Sequence, residues 1–281
     1  MKSENQFQSF INWDKQLLIL DEEGAMNVGV LIPEEKLFSP VILVHGWLGT
    51  GETWGRVAQE LVKEGYTVYC PDLLGHGESD KPETIDYDIL LYEKYLKRLI
   101  LEEIKEPVIL GGHSMGGAIS MFLTDRNKEM VKALFLVSTA STFRQRVPKF
   151  VVEFLPEILI NSTKEILNKL INNFWLSSDL EIEKSIRGRI IQNAMNTTTY
   201  VAKSTYEKIV LRWNGKKLLK TINIPAIVAT GSTDFLTTPR MGKALMTKLP
   251  LGVFRQLKGV GHQLPVSRPQ ELAELIKTYL K

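Results

Sequence analysis

The chain has 281 residues, 44% hydrophobic and 24% charged, with 20 Gly and 12 Pro; this excludes a disordered or collagen-like polymer and suffices for one or two folded domains. Its one cysteine, Cys70, excludes an internal disulfide and any metal site built from several thiolates, and it fits a reducing compartment. The 35 basic and 32 acidic residues leave a net +3 with no dense basic run, so nucleic acid is not an expected partner.

The first residues, MKSENQFQSF, have neither the basic start nor the apolar run of a secretory signal. No apolar stretch reaches the ~18 residues of a membrane span, so a soluble, cytoplasmic protein is expected. In chain order, Gln16–Leu20 and Ala25–Ile32 read as a hairpin around Asp21–Gly24, closed by Pro33. Pro40–Val44 and Thr67–Cys70 are apolar at every position, as strands covered on both faces are. Between them Val57, Ala58, Leu61 and Val62 recur at helical spacing within Trp54–Gly65, completing a βαβ unit. Helical Tyr87–Leu101, strand Pro107–Gly111, helical Gly116–Arg126 and strand Ala133–Ser138 continue the alternation.

That alternation predicts an α/β fold: a mostly parallel eight-stranded sheet with helices on both faces. It stops over residues 141–222, which read as amphipathic helices broken at Pro148 and Pro156. Strand Pro225–Thr230, strand Gly252–Leu257 and helix Pro269–Leu280 then resume it. The expected organisation is a core made of 1–140 and 223–281, interrupted by a helical insertion at 141–222. The insertion holds 14 Lys or Arg against 7 Asp or Glu. Solvated helix faces account for such charges, and so does contact with something anionic.

Leu110-Gly-Gly-His-Ser-Met-Gly-Gly117 joins a predicted strand to a predicted helix and contains G-x-S-x-G at Gly112, Ser114 and Gly116. A strand turning directly into a helix strains the residue at its apex, and small residues two positions either side allow the close approach. Ser114 would stand out of the sheet at the positive end of a helix, where an oxyanion is favoured. A serine hydroxyl needs a base to take its proton and an acid to orient that base. Of the four histidines, His45 and His76 lie in turns after earlier strands, and His113 adjoins Ser114. Only His262 follows the last predicted strand. Asp234 lies just beyond another strand end, and the order Ser114, Asp234, His262 puts three such groups at three strand ends.

With Val44-His-Gly-Trp-Leu-Gly49 and Pro71-Asp-Leu-Leu-Gly-His-Gly-Glu-Ser79, these segments resemble the α/β-hydrolase superfamily, in its serine-nucleophile, carboxylesterase- and lipase-like branch. The resemblance covers nearly the whole chain. It implies that the backbone N–H groups of Trp47 and Met115 form the oxyanion hole, and that 141–222 is the helical cap over the site. It implies no metal or organic cofactor. Serine at position 114 departs from the aspartate nucleophile of haloalkane dehalogenases and epoxide hydrolases. His45-Gly-Trp-Leu-Gly-Thr50 departs from the His-Gly-x-Gly-Pro-Gly stretch of C–C bond hydrolases, and Ala118 stands where the pyruvate-eliminating enzyme of menaquinone synthesis typically has arginine.

The expected reaction is hydrolysis of a small-molecule carboxylic ester through an acyl-enzyme. A C–C hydrolase, a menaquinone-type lyase and a low-turnover ligand receptor are the alternatives. Phe143, Phe150, Phe154, Phe174, Trp175 and Trp213 of the insertion suit either core packing or an apolar acyl channel. His113, Phe143, Phe154 and Trp175 are the expected substrate contacts. The basic insertion would give at most a weak contact with an anionic surface.

Overall fold

The computed structural model describes residues 11–143 and 184–280. The breaks expected at Pro148 and Pro156, and the side chains of Phe150, Phe154, Phe174 and Trp175, lie outside them. Eight strands form one sheet: β1 (Lys15–Asp21), β2 (Gly24–Leu31), β3 (Val41–Val44), β4 (Val68–Pro71), β5 (Val108–His113), β6 (Val131–Val137), β7 (Ala226–Gly231) and β8 (Gly252–Leu257). Their order is β1-β2-β4-β3-β5-β6-β7-β8. β2 is antiparallel to β1 and β4, and every other pairing is parallel.

The helices are α1 (Gly55–Lys63), α2 (Ile89–Arg98), α3 (Met115–Arg126), α4 (Lys184–Met195), α5 (Thr199–Thr205), α6 (Pro239–Met246), the single turn α7 (Leu264–Ser267) and α8 (Pro269–Tyr279). Every residue of β3, β5 and β7 is buried because helices cover both faces of the sheet. Alternate residues divide between two cores, as a period of two requires. Val41 and Leu43 join the core that holds Leu61 of α1 and Ile276 of α8, whereas Ile42 and Val44 join the one with Tyr95 of α2 and Ile119 of α3. A fully buried side chain of this size contributes roughly 1.5–3 kcal/mol.

Boundaries differ from the sequence expectation where a side chain decides them. Helix α2 starts at Ile89 rather than Tyr87 because the Asp88 carboxylate accepts the Leu91 N–H at 2.9 Å. It runs past Leu101 as a π-helical turn, Leu99–Ile104, ended by Lys105 at φ 62°. β5 runs two residues beyond Gly111, since Gly112 and His113 pair with Leu136 and Val137.

Segment 184–222 packs over loops at the carboxyl ends of the strands. Ile186, Ile191 and Ala194 of α4 and Ala202 of α5 form a small apolar cluster with Leu48 and Val266. The Arg189 guanidinium grips Glu52 with two bonds, of 2.7 and 3.1 Å, and Asn193 donates to Thr50 Oγ1 at 3.0 Å. This pair is largely shielded, at 18% and 11% exposure, so it orients the segment more firmly than a surface ion pair would.

Candidate active site

Between the last residue of β5 and the first of α3 stands Ser114 alone, at φ 51° and ψ −115°. A non-glycine residue held there costs of order 1–3 kcal/mol, about what its fixed neighbours must offset. The Ser114 N–H donates to Val137 O at 3.0 Å, and its carbonyl accepts the Thr139 hydroxyl at 2.8 Å. A Cβ on Gly112 would lie 2.4 Å from Gly116 O, and one on Gly116 would lie 2.4 Å from the carbonyl oxygens of Val44 and His45. Both flanking glycines are therefore steric requirements of the turn. Met115, as the first residue of α3, has one of the amides for which the helix provides no acceptor.

Asp234 lies three residues beyond β7 and is 2% exposed. Its Oδ1 accepts the N–H groups of Leu236 at 2.9 Å and Thr237 at 2.8 Å, and its Oδ2 accepts the Thr237 hydroxyl at 2.7 Å. The same Oδ2 accepts His262 Nδ1–H at 3.0 Å, with Thr237 Oγ1 3.3 Å from that nitrogen. Burial opposes ionisation of Asp234, but the His262 charge and the bonds from His262 and Thr237 outweigh it and hold the carboxyl below its ordinary range. A proton on Nδ1 leaves Nε2 as the basic nitrogen of the His262 ring. Gly231 permits the two loops to meet: a Cβ there would sit 2.2 Å from Val260 O and 2.3 Å from Gly261 O.

His113 joins the serine loop to the histidine loop. It is 3% exposed, its Nε2–H donates to the main-chain carbonyl of His262 at 2.9 Å, and the two rings lie 4.8 Å apart. Gly46 packs on it, since a Cβ there would be 2.9 Å from His113 Nδ1 and 3.2 Å from Ser114 Cβ. The structure thus links the Ser114 turn and Gly46 to the His262 loop through His113, and the His262 ring in turn to Asp234. The Trp47 indole N–H reaches Ala202 O and Thr205 Oγ1 of α5, each at 3.1 Å. Phe143, at 9% exposure, belongs to the core beneath the sheet's helices together with Trp213, whose indole donates to Ala140 O at 2.8 Å. Phe154 and Trp175 lie outside the described residues. Thr237 and Thr139 had no signature in the sequence beyond their distance from Asp234 and Ser114, and an Asp-x-x-Thr turn is the one sign that could have revealed Thr237.

The remaining polar groups of the two Gly-rich loops hold backbone. His45 Nε2 accepts the Leu73 N–H at 3.0 Å, and Asp72 accepts Gly51 N–H at 2.7 Å and Glu78 N–H at 2.9 Å. Burial lowers the pKa of His45 well below 6.5, of His76 to about 4 and, with help from His262, of His113 to about 3. All three are neutral in the fold and take up protons first when unfolded, so their stabilisation is complete above pH 6.5 and is lost as the pH falls toward 4 and 3. Asp72, raised by burial, acts in the opposite sense but is one group against three. Urea unfolding at pH 7, 5.5 and 4.5 should show a steep acid loss, and a flat profile would contradict the neutral buried histidines.

A family model described as alpha/beta hydrolase fold matches residues 39–267. The chain belongs to that family. Lipase 3 of Moraxella sp. (strain TA144) is 30% identical to this alpha/beta hydrolase over 245 residues, which cover 85% of this chain and 76% of the lipase. Lipase 1 of Psychrobacter immobilis is 27% identical with the same coverage. The solved esterase EaEST from Exiguobacterium antarcticum superposes with a TM-score of 0.84 at 18% identity, over 94% of this chain and 98% of that one. This alpha/beta hydrolase is an enzyme of the hydrolase class, similar to lipases and esterases. Among its described residues no helix is long and apolar enough to cross a membrane, and no group of three His, Cys, Asp or Glu side chains could hold a metal ion.

Proposed function

We propose that the enzyme hydrolyses carboxylic esters with small, mainly apolar acyl groups, and that Ser114, His262 and Asp234 carry the reaction. The observation that carries this reading is the Asp234–His262 bond of 3.0 Å in the loop held against the strained Ser114 turn. His262 Nε2 takes the Ser114 proton as Oγ attacks the ester carbonyl, and the imidazolium is stabilised by Asp234. The Trp47 and Met115 amides donate to the oxyanion, which strengthens them as acceptor charge grows in the transition state. Collapse breaks the C–O bond, and His262 hands its proton to the leaving alkoxide. Water, deprotonated by the same nitrogen, then releases the acid and restores Ser114.

Residues 141–222 act as a cap on a core made of 1–140 and 223–281. The contacts of α4 and α5 with Leu48, Glu52 and Trp47 support this, because Trp47 and Leu48 lie on the turn that carries the first oxyanion amide and Glu52 on the helical turn that follows it. The test is steady-state hydrolysis of 4-nitrophenyl esters from acetyl to dodecanoyl. Turnover with a defined chain-length optimum is expected. If no ester turns over while a fluorophosphonate still labels Ser114, the nucleophile is armed but the substrate is not a simple ester, and the ester reading fails.

A further inference from the structure

Among the described residues, three of the five buried phenols are engaged. Tyr87 donates to Pro82 O at 2.7 Å, Tyr92 to Leu74 O at 3.1 Å and Tyr95 to Gly24 O at 2.7 Å. Among the described residues two phenols, those of Tyr66 and Tyr206, are buried without a partner, as are the hydroxyls of Ser138, Thr197, Thr230 and Thr238. Tyr66 precedes β4, at the amino end of the strand, and stacks on Phe38 at 4.6 Å within the second core. Tyr206 is different. It is 3% exposed yet joins none of the apolar clusters, although Val201 and Ile209 beside it enter the main core and Ala202 enters the cluster around Leu48. Its ring lies 5.1 Å from that of Trp47, the residue proposed to present the first oxyanion amide.

Two further observations tie this phenol to the Trp47 turn. It opens a π-helical turn, Tyr206–Val210, a distortion that recurs at functional sites because it turns one side chain out of helical register. The preceding residue, Thr205, holds the Trp47 indole at 3.1 Å, so the distance between Tyr206 and the oxyanion turn is fixed by a direct hydrogen bond. A buried hydroxyl with no partner among the described residues is open to a hydrogen bond from a ligand or a water, and Tyr206 is the one of these phenols that lies against the Trp47 turn.

We infer that Tyr206 is a substrate-binding residue whose hydroxyl hydrogen-bonds a second oxygen of the ester, separate from the reacting carbonyl, so that the enzyme favours oxygenated esters over their all-carbon isosteres. This rests on the ester reading above and names its substrate class. Burial pushes Tyr206 up to about 12, which keeps the phenol protonated and able to donate throughout a neutral or mildly basic assay.

The test compares wild type and Tyr206→Phe on paired 4-nitrophenyl esters, in which an ether oxygen replaces one methylene at successive positions of the acyl chain. A second series varies the alcohol, 2-methoxyethyl against butyl. The ratio of kcat/KM for each pair cancels intrinsic reactivity. For at least one position, Tyr206→Phe should lower the ether-to-alkyl ratio by about tenfold or more. Its thermal stability should hold or rise, because the variant removes an unpaired hydroxyl. Ratios within about twofold at every position, or a fall in stability showing that the hydroxyl is already bonded within the protein, would overturn the inference. Ser114→Ala, run beside it, separates the failures: if that variant keeps its activity the ester reading itself has failed, and if it is dead while Tyr206→Phe is neutral only the role of Tyr206 has.

Discussion

Ser114→Ala is expected to lower kcat for ester hydrolysis on the order of 10⁴- to 10⁶-fold, with KM little changed. In the proposed mechanism Ser114 Oγ forms the bond to the acyl carbon, so its loss falls on the transition state and not on binding. The fold should survive. The φ of 51° at position 114 is set by the Ser114 N–H on Val137 and by Thr139 on its carbonyl, both main-chain contacts that alanine retains. The Ser114 hydroxyl contributes none of them. Equal urea midpoints for wild type and variant, together with loss of fluorophosphonate labelling, would complete the result. A loss of less than about a hundredfold would remove Ser114 from the mechanism.

Asp234→Asn should cost about 10⁴-fold in kcat near neutral pH. The amide preserves size and can still accept the Leu236 and Thr237 N–H groups through its oxygen, which at present bind Oδ1 at 2.9 and 2.8 Å. Its NH₂ group then faces His262 Nδ1. A donor opposite a donor is repulsive, so the ring moves its proton to Nε2, the nitrogen that must be empty to accept the Ser114 proton. Measuring the rate of fluorophosphonate labelling alongside kcat checks this, because both need the same proton transfer. If labelling stays at the wild-type rate, Asp234 does not orient His262 in the way proposed.

Much of this architecture was legible along the chain because it follows from local rules. The apolar runs Val41–Val44 and Ala226–Ala229 announce strands covered twice, and the small residues at 112 and 116 announce a turn too tight for a Cβ. The π-helical extension of α2 and its start at Ile89 were not legible, since one is set by packing and the other by which of several polar residues happens to cap. His113 shows the limit most clearly. Its position next to the nucleophile suggests a substrate contact, but its ring turns to a carbonyl 149 residues away and spends its donor there. No spacing rule connects those residues, because the bond exists only once β5 and the loop after β8 have been brought to the same edge of the sheet.

The sequence by itself determined the order of strands and helices, the sharp turn at Ser114 and the chemical identity of the groups at three strand ends. Hydrophobic period, glycine placement and side-chain type are properties of short stretches, and short stretches suffice to express them. Only the tertiary structure decided which polar groups meet. The Thr237 clamp on Asp234, the Arg189 grip on Glu52, the tether from Thr205 to Trp47 and the unpaired hydroxyl of Tyr206 all depend on long-range packing. Hydrogen bonds act within about 3 Å and along fixed directions, so residues far apart in the chain acquire such partners only when the sheet and both cores have fixed their positions.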